Sequence, residues 1–588
     1  MIKFLQLLSL AIITIFVVSC ANSITPPTGG PKDLVPPEVV LTDPVNGAPK
    51  FTTDRFSIKF NEFVSLKDVQ TSALISPPMK EVPEYIVKGK TIQVKFNEEL
   101  KSNTTYSVYF GEAIVDITEE NPITNYTYIF STGDFVDSLT LNGHIYNAFD
   151  LEPIESTFVM LYKDNNDTIV FDSLPYFVVP YYLSKTDING RFQFDGLSDD
   201  KYLLFAINDQ NSNYIFDQPG EQIAFLDSLV RPIYIEKPVI DTTVIDSLYN
   251  IDITTDSIVA IADSLLPDSA FNEHDMGINM YMFLSPDTIQ RLIKAEVFEK
   301  NAVRFAFSQP ADNVNFKFLN YPLDSSLYVK NYSLLKDTLY WYLNNPPNDS
   351  LELLLTQFND TLGIVYLKLD TEKKSARVRK KEEEKKEVLS WKSNVSSNKL
   401  DLDKHLKIAF TQPNVKFNKI DSSLLVIGND SIWDPEFIFE DSLNMEIIFP
   451  FELTEETKYR VYFPDSAFTS WNNIHTKEID VSFNTLPLSD YGIFTFNLFP
   501  EKKQNYILQL INENAIIVRE FYFSTDTSVT FYYLTPEMYL SKIIFDNDNN
   551  NKWSTGNYNL KVQPEQIIFY PNEIKVRANW EIEEEWVW

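Results

Sequence analysis

The chain has 588 residues, 83 acidic against 50 basic side chains, a formal charge of −33 and a single cysteine. That charge excludes nucleic acid as a partner and anionic lipid as a docking surface, and one cysteine excludes an internal disulfide. Stability must come from buried cores, for which this length suffices over four or five domains, and 44 Phe and 31 Tyr against 15 Gly favour pleated strands.

Residues 1–19 read as a signal peptide: Met1-Ile2-Lys3, an apolar run from Phe4 to Val18, then Ser19 before Cys20. The run is about 15 residues, short of the ~20 needed to span a bilayer. Val17-Val18-Ser19-Cys20 resembles a lipobox. A lipobox implies cleavage before Cys20, diacylation of Cys20, and the lipid bilayer as the partner of that anchor. Residues 20–35, with Pro26, Pro27, Gly29, Gly30 and Pro31, then form a tether that suits neither helix nor central strand.

Apolar and polar residues alternate over 56–60, 91–96, 106–110 and 126–132, the pattern of half-buried antiparallel strands. They predict a β-sandwich over 36–134. The pattern returns over 391–487: 406–410 echoes 56–60, 453–463 echoes 100–110, and the 26 residues separating Tyr106 from Thr132 also separate Tyr459 from Thr485. Ala306-Phe307-Ser308-Gln309-Pro310 is similar to Ala409-Phe410-Thr411-Gln412-Pro413, a fainter copy within a middle β domain expected over 276–370.

A smaller β module follows each sandwich, over 135–225 and 488–588. Leu197, Tyr202 and Asp209 in the first have the same offsets as Leu534, Tyr539 and Asp546 in the second. Residues 226–275 read as an acidic linker or insertion, and 371–390, rich in Lys, Arg and Glu, as a charged linker.

Several of these segments resemble a known family. Gly29-Gly30-Pro31-Lys32-Asp33, Pro36-Pro37, Phe60-Asn61-Glu62-Phe63, Asn103-Thr104-Thr105-Tyr106 and Phe130-Ser131-Thr132-Gly133-Asp134 resemble the bacterial Ig-like (SbsA-type) domain that opens a group of Bacteroidota lipoproteins. Residues 546–556 and Arg577-Ala578-Asn579-Trp580 resemble that group's C-terminal region, and the small modules are similar to carboxypeptidase-regulatory-like, prealbumin-type domains. The resemblance implies an all-β chain of tandem Ig-like sandwiches alternating with small prealbumin-like modules. It further implies a non-enzymatic envelope protein, lipid-anchored at the outer membrane, whose partner is an envelope complex such as a β-barrel assembly or export machine. Surface lipoproteins of that phylum carry acidic residues after the lipidated cysteine, whereas Ala21-Asn22-Ser23-Ile24-Thr25 has none. Both faces of the membrane stay open, with a lean to the cell surface.

Catalytic patterns are lacking. His144, His274, His405 and His475 sit in no metal or triad motif, and neither a phosphate-binding loop nor a nucleophile elbow occurs. The one cofactor candidate is Ca²⁺. Asp209, Asn211, Asn213 and Asp217 occupy positions 1, 3, 5 and 9 of a loop, as do Asp546, Asp548, Asn550 and Ser554. Alternate oxygen-bearing residues in a tight loop suit a hard cation, while an Asx-rich turn that bonds its own backbone needs the same residues. Asp-Ser/Thr-aliphatic triplets recur and are similar to the acceptor motif of Bacteroidota O-glycosylation, which makes Ser138, Thr168, Ser173, Ser247, Ser264, Thr338, Thr361 and Ser442 candidate acceptors. Asp-Ser and Asp-Thr also start turns in any β-rich chain.

The preferred function is a scaffold or binding subunit. The rival is a surface glycan-binding or glycan-processing lipoprotein, suggested by Trp553, Trp580, Trp586 and Trp588. Period two puts Trp580, Ile582, Trp586 and Trp588 on one face of a final strand, where core packing is expected.

Overall fold

A computed structural model describes residues 33–588 except 125, 164–172, 235–276, 288, 300, 321–327, 334, 345, 347–348, 359, 370–387 and 420–421. Cys20 and the signal peptide, the tether up to residue 32, most of the acidic and charged segments, and Thr168, Ser247 and Ser264 lie outside the described residues. Among the described residues no helix is long and apolar enough to cross a membrane.

The described chain is built of β-sandwiches and small β modules. In the first sandwich Val39–Asp43, Arg55–Phe60, Thr91–Lys95 and Glu84–Lys88 lie side by side in that order, facing Leu74–Ser76, Thr105–Tyr109 and Thr127–Ser131. Leaving aside a short ladder between Val64–Leu66 and Ile114–Asp116, the chain order is 1-2-5-4 against 3-6-7. This is the strand arrangement of a constant-type immunoglobulin sandwich. The second sandwich repeats it with Trp391–Ser393, Lys407–Phe410, Glu446–Ile448 and Ile438–Phe439 against Leu424–Ile427, Lys458–Phe463 and Ile479–Asn484, and adds an edge strand, Asp430–Trp433. The middle region has the order again: Leu292–Glu299, Ala302–Phe307, Thr338–Leu343 and Tyr328–Tyr332 against Val314–Phe318, Ser350–Gln357 and Asp360–Lys368. The faint likeness around Gln309 and Gln412 therefore marks equivalent strand ends.

Alternation explains the cores. Phe56, Ile58 and Phe60 point inward while Arg55 and Lys59 stay exposed, and Phe56 stacks on Tyr128 with ring centroids 3.9 Å apart. Each such side chain contributes about 1.5–3 kcal/mol when fully buried. The repeated Tyr-to-Thr spacing has a local cause. Lys101 N donates to the Tyr106 hydroxyl at 2.9 Å, while Thr132 Oγ1 donates to Lys101 O at 2.7 Å and accepts from Thr104 N at 3.0 Å. Thr454 N, Tyr459, Thr485 and Thr457 N make the same set at 2.8, 2.6 and 3.0 Å. These are tyrosine corners, each locked by a threonine just past the end of the last strand.

The small modules share a second pattern. In the first, Leu139–Asn147 pairs in parallel with Ile278–Leu284 and antiparallel with Arg191–Leu197, in a sheet that continues through Gln222–Phe225, Tyr202–Ile207, Phe158–Lys163 and Tyr182–Lys185. In the C-terminal module Gly492–Phe499 pairs in parallel with the last strand, Glu581–Val587, and antiparallel with Thr527–Leu534. The boundary expected at 275/276 is thereby corrected. Ile278–Leu284 is the closing strand of the first small module, so the acidic segment is an insertion ahead of that strand rather than a linker between domains. The shared Leu-to-Tyr offset also has a cause: Tyr202 OH donates to Ser198 O at 3.0 Å and Tyr539 OH to Thr535 O at 2.9 Å.

Successive bodies are joined by polar contacts. Leu183 N donates to Ser76 Oγ, which donates back to Leu183 O, at 2.6 and 2.9 Å, tying the first sandwich to the small module. Gln290 holds the carbonyls of Gln309 and Pro310 where the chain enters the middle sandwich. Arg519 pairs with Asp403 at 2.6 Å between the C-terminal module and the second sandwich.

Candidate functional site

The Asp/Asn loops leave the same strand end in each small module, and their environments differ. In the first, Asp209 accepts from the backbone N–H groups of Asn211, Ser212 and Tyr214 at 3.1, 2.7 and 2.7 Å. The amides of Asn211 and Asn213 donate to the two oxygens of Asp217 at 3.1 and 2.9 Å. Buried Glu221 accepts from the N–H groups of Gln210, Asp217 and Gln218. This loop is a self-satisfied Asx turn as it stands.

In the second loop buried Asp546 accepts from Asn550 N and Asn551 N at 3.0 and 3.1 Å, and Asp548 accepts from the Asn550 amide and the Ser554 hydroxyl at 2.9 and 2.6 Å. Glu565 accepts from Asn547 N and Ser554 N at 2.7 and 2.9 Å. Burial pushes the Glu565 carboxyl up, against the pull of these N–H groups. Among the described residues, Asp546, Asp548 and Glu565 form the one carboxylate triad with ligand atoms within 4.8 Å of one another. Glu565 did not emerge from the spacing because it lies 19 positions after Asp546, whereas Glu221 lies 12 after Asp209. A buried acid closing each loop would have been the signal to seek.

The extra length of the second loop forms a docking element. Tyr558, fully buried, inserts among Met160, Phe205, Ile223, Phe225 and Phe283, which are the outer sheet face of the first small module. Its ring meets Phe225 and Phe205 edge to face at 5.2 and 5.8 Å. Tyr558 N donates to Ser285 Oγ, Thr555 Oγ1 to Leu284 O and the Gln563 amide to Phe225 O, at 3.1, 3.0 and 3.0 Å. Gly556 lies so close that a Cβ there would sit 2.5 Å from the Phe283 ring.

The contact is reciprocal. Phe149, from the first hairpin turn of the small module, packs edge to face on Trp553 at 5.0 Å and lies 3.7 Å under the Lys542 ammonium. Lys542 is 2% exposed. Burial lowers its pKa to about 8, with nearby Asp150 opposing the shift. The middle and second sandwiches border a shared cleft lined by Glu299 and Asn301 on one side and Thr411 and Gln412 on the other, so these two, the C-terminal module and the first small module close into a ring.

With this geometry in place, comparison with known proteins assigns one of the sandwiches. Residues 33–132 match the bacterial Ig-like domain family. No curated protein matches the chain. Among solved structures it is similar to the S-layer protein SbsC (10% identity over 87% of this chain and 64% of that one, TM-score 0.12) and to BcpA, the major pilin subunit of Bacillus cereus (9%, 76% and 99%, TM-score 0.13). An L,D-transpeptidase from Mycobacterium smegmatis is matched over 26% of this chain and 74% of that one, at 13% identity and TM-score 0.12. The chain spans less than two thirds of the S-layer protein's length.

The remaining candidates are scattered over the Ig-like sandwiches and their neighbours. Ser138, Thr361 and Ser442 are exposed, while Ser173 and Thr338 are half-buried. The aspartates ahead of three of them are hydrogen-bond acceptors: Asp137 takes the hydroxyl of Thr105 on a distant strand, while in local turns Asp337 takes the Ser333 hydroxyl and Asp441 the N–H groups of Leu443, Met445 and Glu446. His475 bonds Thr469, and His144 stacks beside Tyr146. The tryptophan face needs one correction. Trp586, 6% exposed, and half-buried Ile582 and Trp588 pack on the core, but Trp580 precedes the strand, is 53% exposed, and lies under Arg577 at 4.7 Å. Trp553 is taken up by the docking contact, where its indole N–H donates to Glu565 O at 3.0 Å. The four therefore form no shared aromatic platform.

Proposed function

We propose that this is a non-enzymatic, lipid-anchored scaffold or binding subunit of the outer membrane, accessory to a β-barrel assembly or export complex. The observation that carries this reading is the closure of the C-terminal module on the first small module through Tyr558. Closure turns a string of sandwiches into one body whose end loops and edge strands hold fixed positions, as a docking platform requires and a flexible tether does not. Some buried polar side chains support it too: Tyr106 and Tyr459 are spent on corners and Ser76 on a junction between bodies. The lipobox at Cys20 supplies the anchor, and the exposed triplets at Ser138, Thr361 and Ser442 are the acceptors best placed for glycans.

The test is acyl labelling followed by affinity purification of the labelled protein from detergent-solubilised membranes. The reading expects label lost in Cys20→Ser and an outer-membrane β-barrel protein recovered in fixed ratio. Unlabelled wild-type protein, or labelled protein recovered alone, contradicts it.

A further inference from the structure

One strand end is served differently in two of the sandwiches. Ser308 N donates to Arg291 O at 3.0 Å in the middle sandwich, and Thr411 N to Ser390 O at 3.1 Å in the second. Ser308-Gln309-Pro310 and Thr411-Gln412-Pro413 are therefore equivalent, and Leu389 stands where the middle sandwich has Gln290. Gln290, 6% exposed, spends its whole amide on that segment: the nitrogen donates to Gln309 O and Pro310 O at 3.1 and 3.2 Å, and the oxygen accepts from Gln309 N at 3.0 Å. The Ser308 hydroxyl donates to Ile289 O at 2.8 Å and the Gln309 amide to Asp287 O. Leu389 has no polar side-chain atom and packs in the core of the second sandwich. Among the described residues the Thr411 hydroxyl and the Gln412 amide have no hydrogen-bond partner, although Gln412 is only 9% exposed.

These unserved groups face the cleft between the two sandwiches. It encloses about 310 Å³, at the small end of ligand sites (roughly 300–1,000 Å³), with Glu299 and Asn301 on one wall and Ser390, Thr411, Gln412 and Asn472 on the other. Asn472 Oδ1 is buried without a donor. Glu299 is half-buried and in no ion pair among the described residues; burial pushes its carboxyl up, with the Lys392 charge opposing. A partly desolvated carboxylate beside an orphaned carbonyl oxygen is costly until donors reach both. An anion would meet Glu299 in a chain of charge −33. A calcium ion gains little from one carboxylate, since its affinity rises with the number of charged ligands. A neutral amide, the group that serves the middle sandwich, would leave Glu299 uncompensated. An ammonium has three donors and holds its water tightly, whereas a guanidinium has five in a planar fork and sheds water more readily, which suits acceptors arriving from separate segments.

We propose that this cleft binds the guanidinium of an arginine side chain on a partner protein, Glu299 pairing its charge while Gln412 and Asn472 accept further N–H groups. The site needs neither the lipid anchor nor a membrane complex, so it and the scaffold reading can fail separately. The test is calorimetric titration of the full chain with three end-capped tripeptides, Ala-Arg-Ala, Ala-Lys-Ala and Ala-Gln-Ala. The arginine peptide should bind with Kd of about 1 mM or tighter, the lysine peptide about tenfold more weakly, and the glutamine peptide not measurably. Glu299→Gln should weaken arginine binding about tenfold, and Gln412→Met should weaken it as well. Asp430→Asn, exposed on the edge strand of the second sandwich, makes the same change of charge and should leave binding unaltered. An unchanged melting temperature confirms that each variant is folded, and if Glu299→Gln is not, Gln412→Met decides. No binding of the arginine peptide at about 10 mM, equal binding of the lysine or glutamine peptide, insensitivity to both cleft substitutions, or an equal loss in Asp430→Asn overturns the proposal.

Discussion

Tyr558 of the C-terminal module and Phe225 of the first small module meet edge to face, their ring centroids 5.2 Å apart. That pair is the centre of the contact closing the ring, and its consequences can be measured.

Tyr558→Ala removes a fully buried aromatic, a change that costs about 3–5 kcal/mol in a core. Because it lies between modules, the cost should fall on docking rather than on either fold. Scattering should show an expanded chain with unchanged far-UV circular dichroism. Gly556→Val should do the same through its clash with Phe283.

Docking should strengthen as pH rises above about 8. Lys542 has its pKa lowered from 10.5 to about 8 by burial, so between those values the undocked state binds more protons, and the free energy of opening grows with pH. Protease resistance of the closed form should therefore increase from pH 8 to pH 10, and Lys542→Met should flatten that slope. An unchanged slope in the variant would assign the effect elsewhere.

Each tyrosine corner should contribute similarly. Tyr106→Phe and Tyr459→Phe each delete one hydroxyl that satisfies a backbone N–H, at about 0.5–1.5 kcal/mol. Urea unfolding of the full chain should register a loss of that size in each. Thr485→Val, which also strands Thr457 N and Thr454 O, should cost more.

If Ca²⁺ occupies the Asp546–Asp548–Glu565 triad, chelation should lower the melting temperature, since a ligand at one hundred times its Kd adds about 2.7 kcal/mol. Asp209→Ala together with Asp546→Ala should abolish chelator sensitivity. Identical melting in millimolar calcium and in excess chelator would leave both loops as hydrogen-bonded turns.

Much of this fold was legible because its determinants are local. Phe56, Ile58 and Phe60 announce their strand by alternation alone, and the Tyr106–Thr132 spacing repeats because one corner needs both side chains. The matched Asp209 and Asp546 loops were visible for the same reason. What escaped was non-local. Ile278–Leu284 pairs with Leu139–Asn147 across an insertion, so its membership in the earlier module leaves no trace in nearby residues. Tyr558 looks like any loop tyrosine until a distant sheet face covers it. Glu565 was hidden by the longer loop, and Trp580 was placed in a strand that begins one residue later.

The most direct test of the closed ring is a distance between spin labels at Phe177→Cys and Leu560→Cys in the purified full chain. Both positions are exposed, and they flank the bond from Tyr176 to Asn559. Closure predicts one narrow distribution at the short end of the measurable range, broadened and lengthened by Tyr558→Ala. A broad, long distribution in the wild type would show independently moving modules and contradict the account.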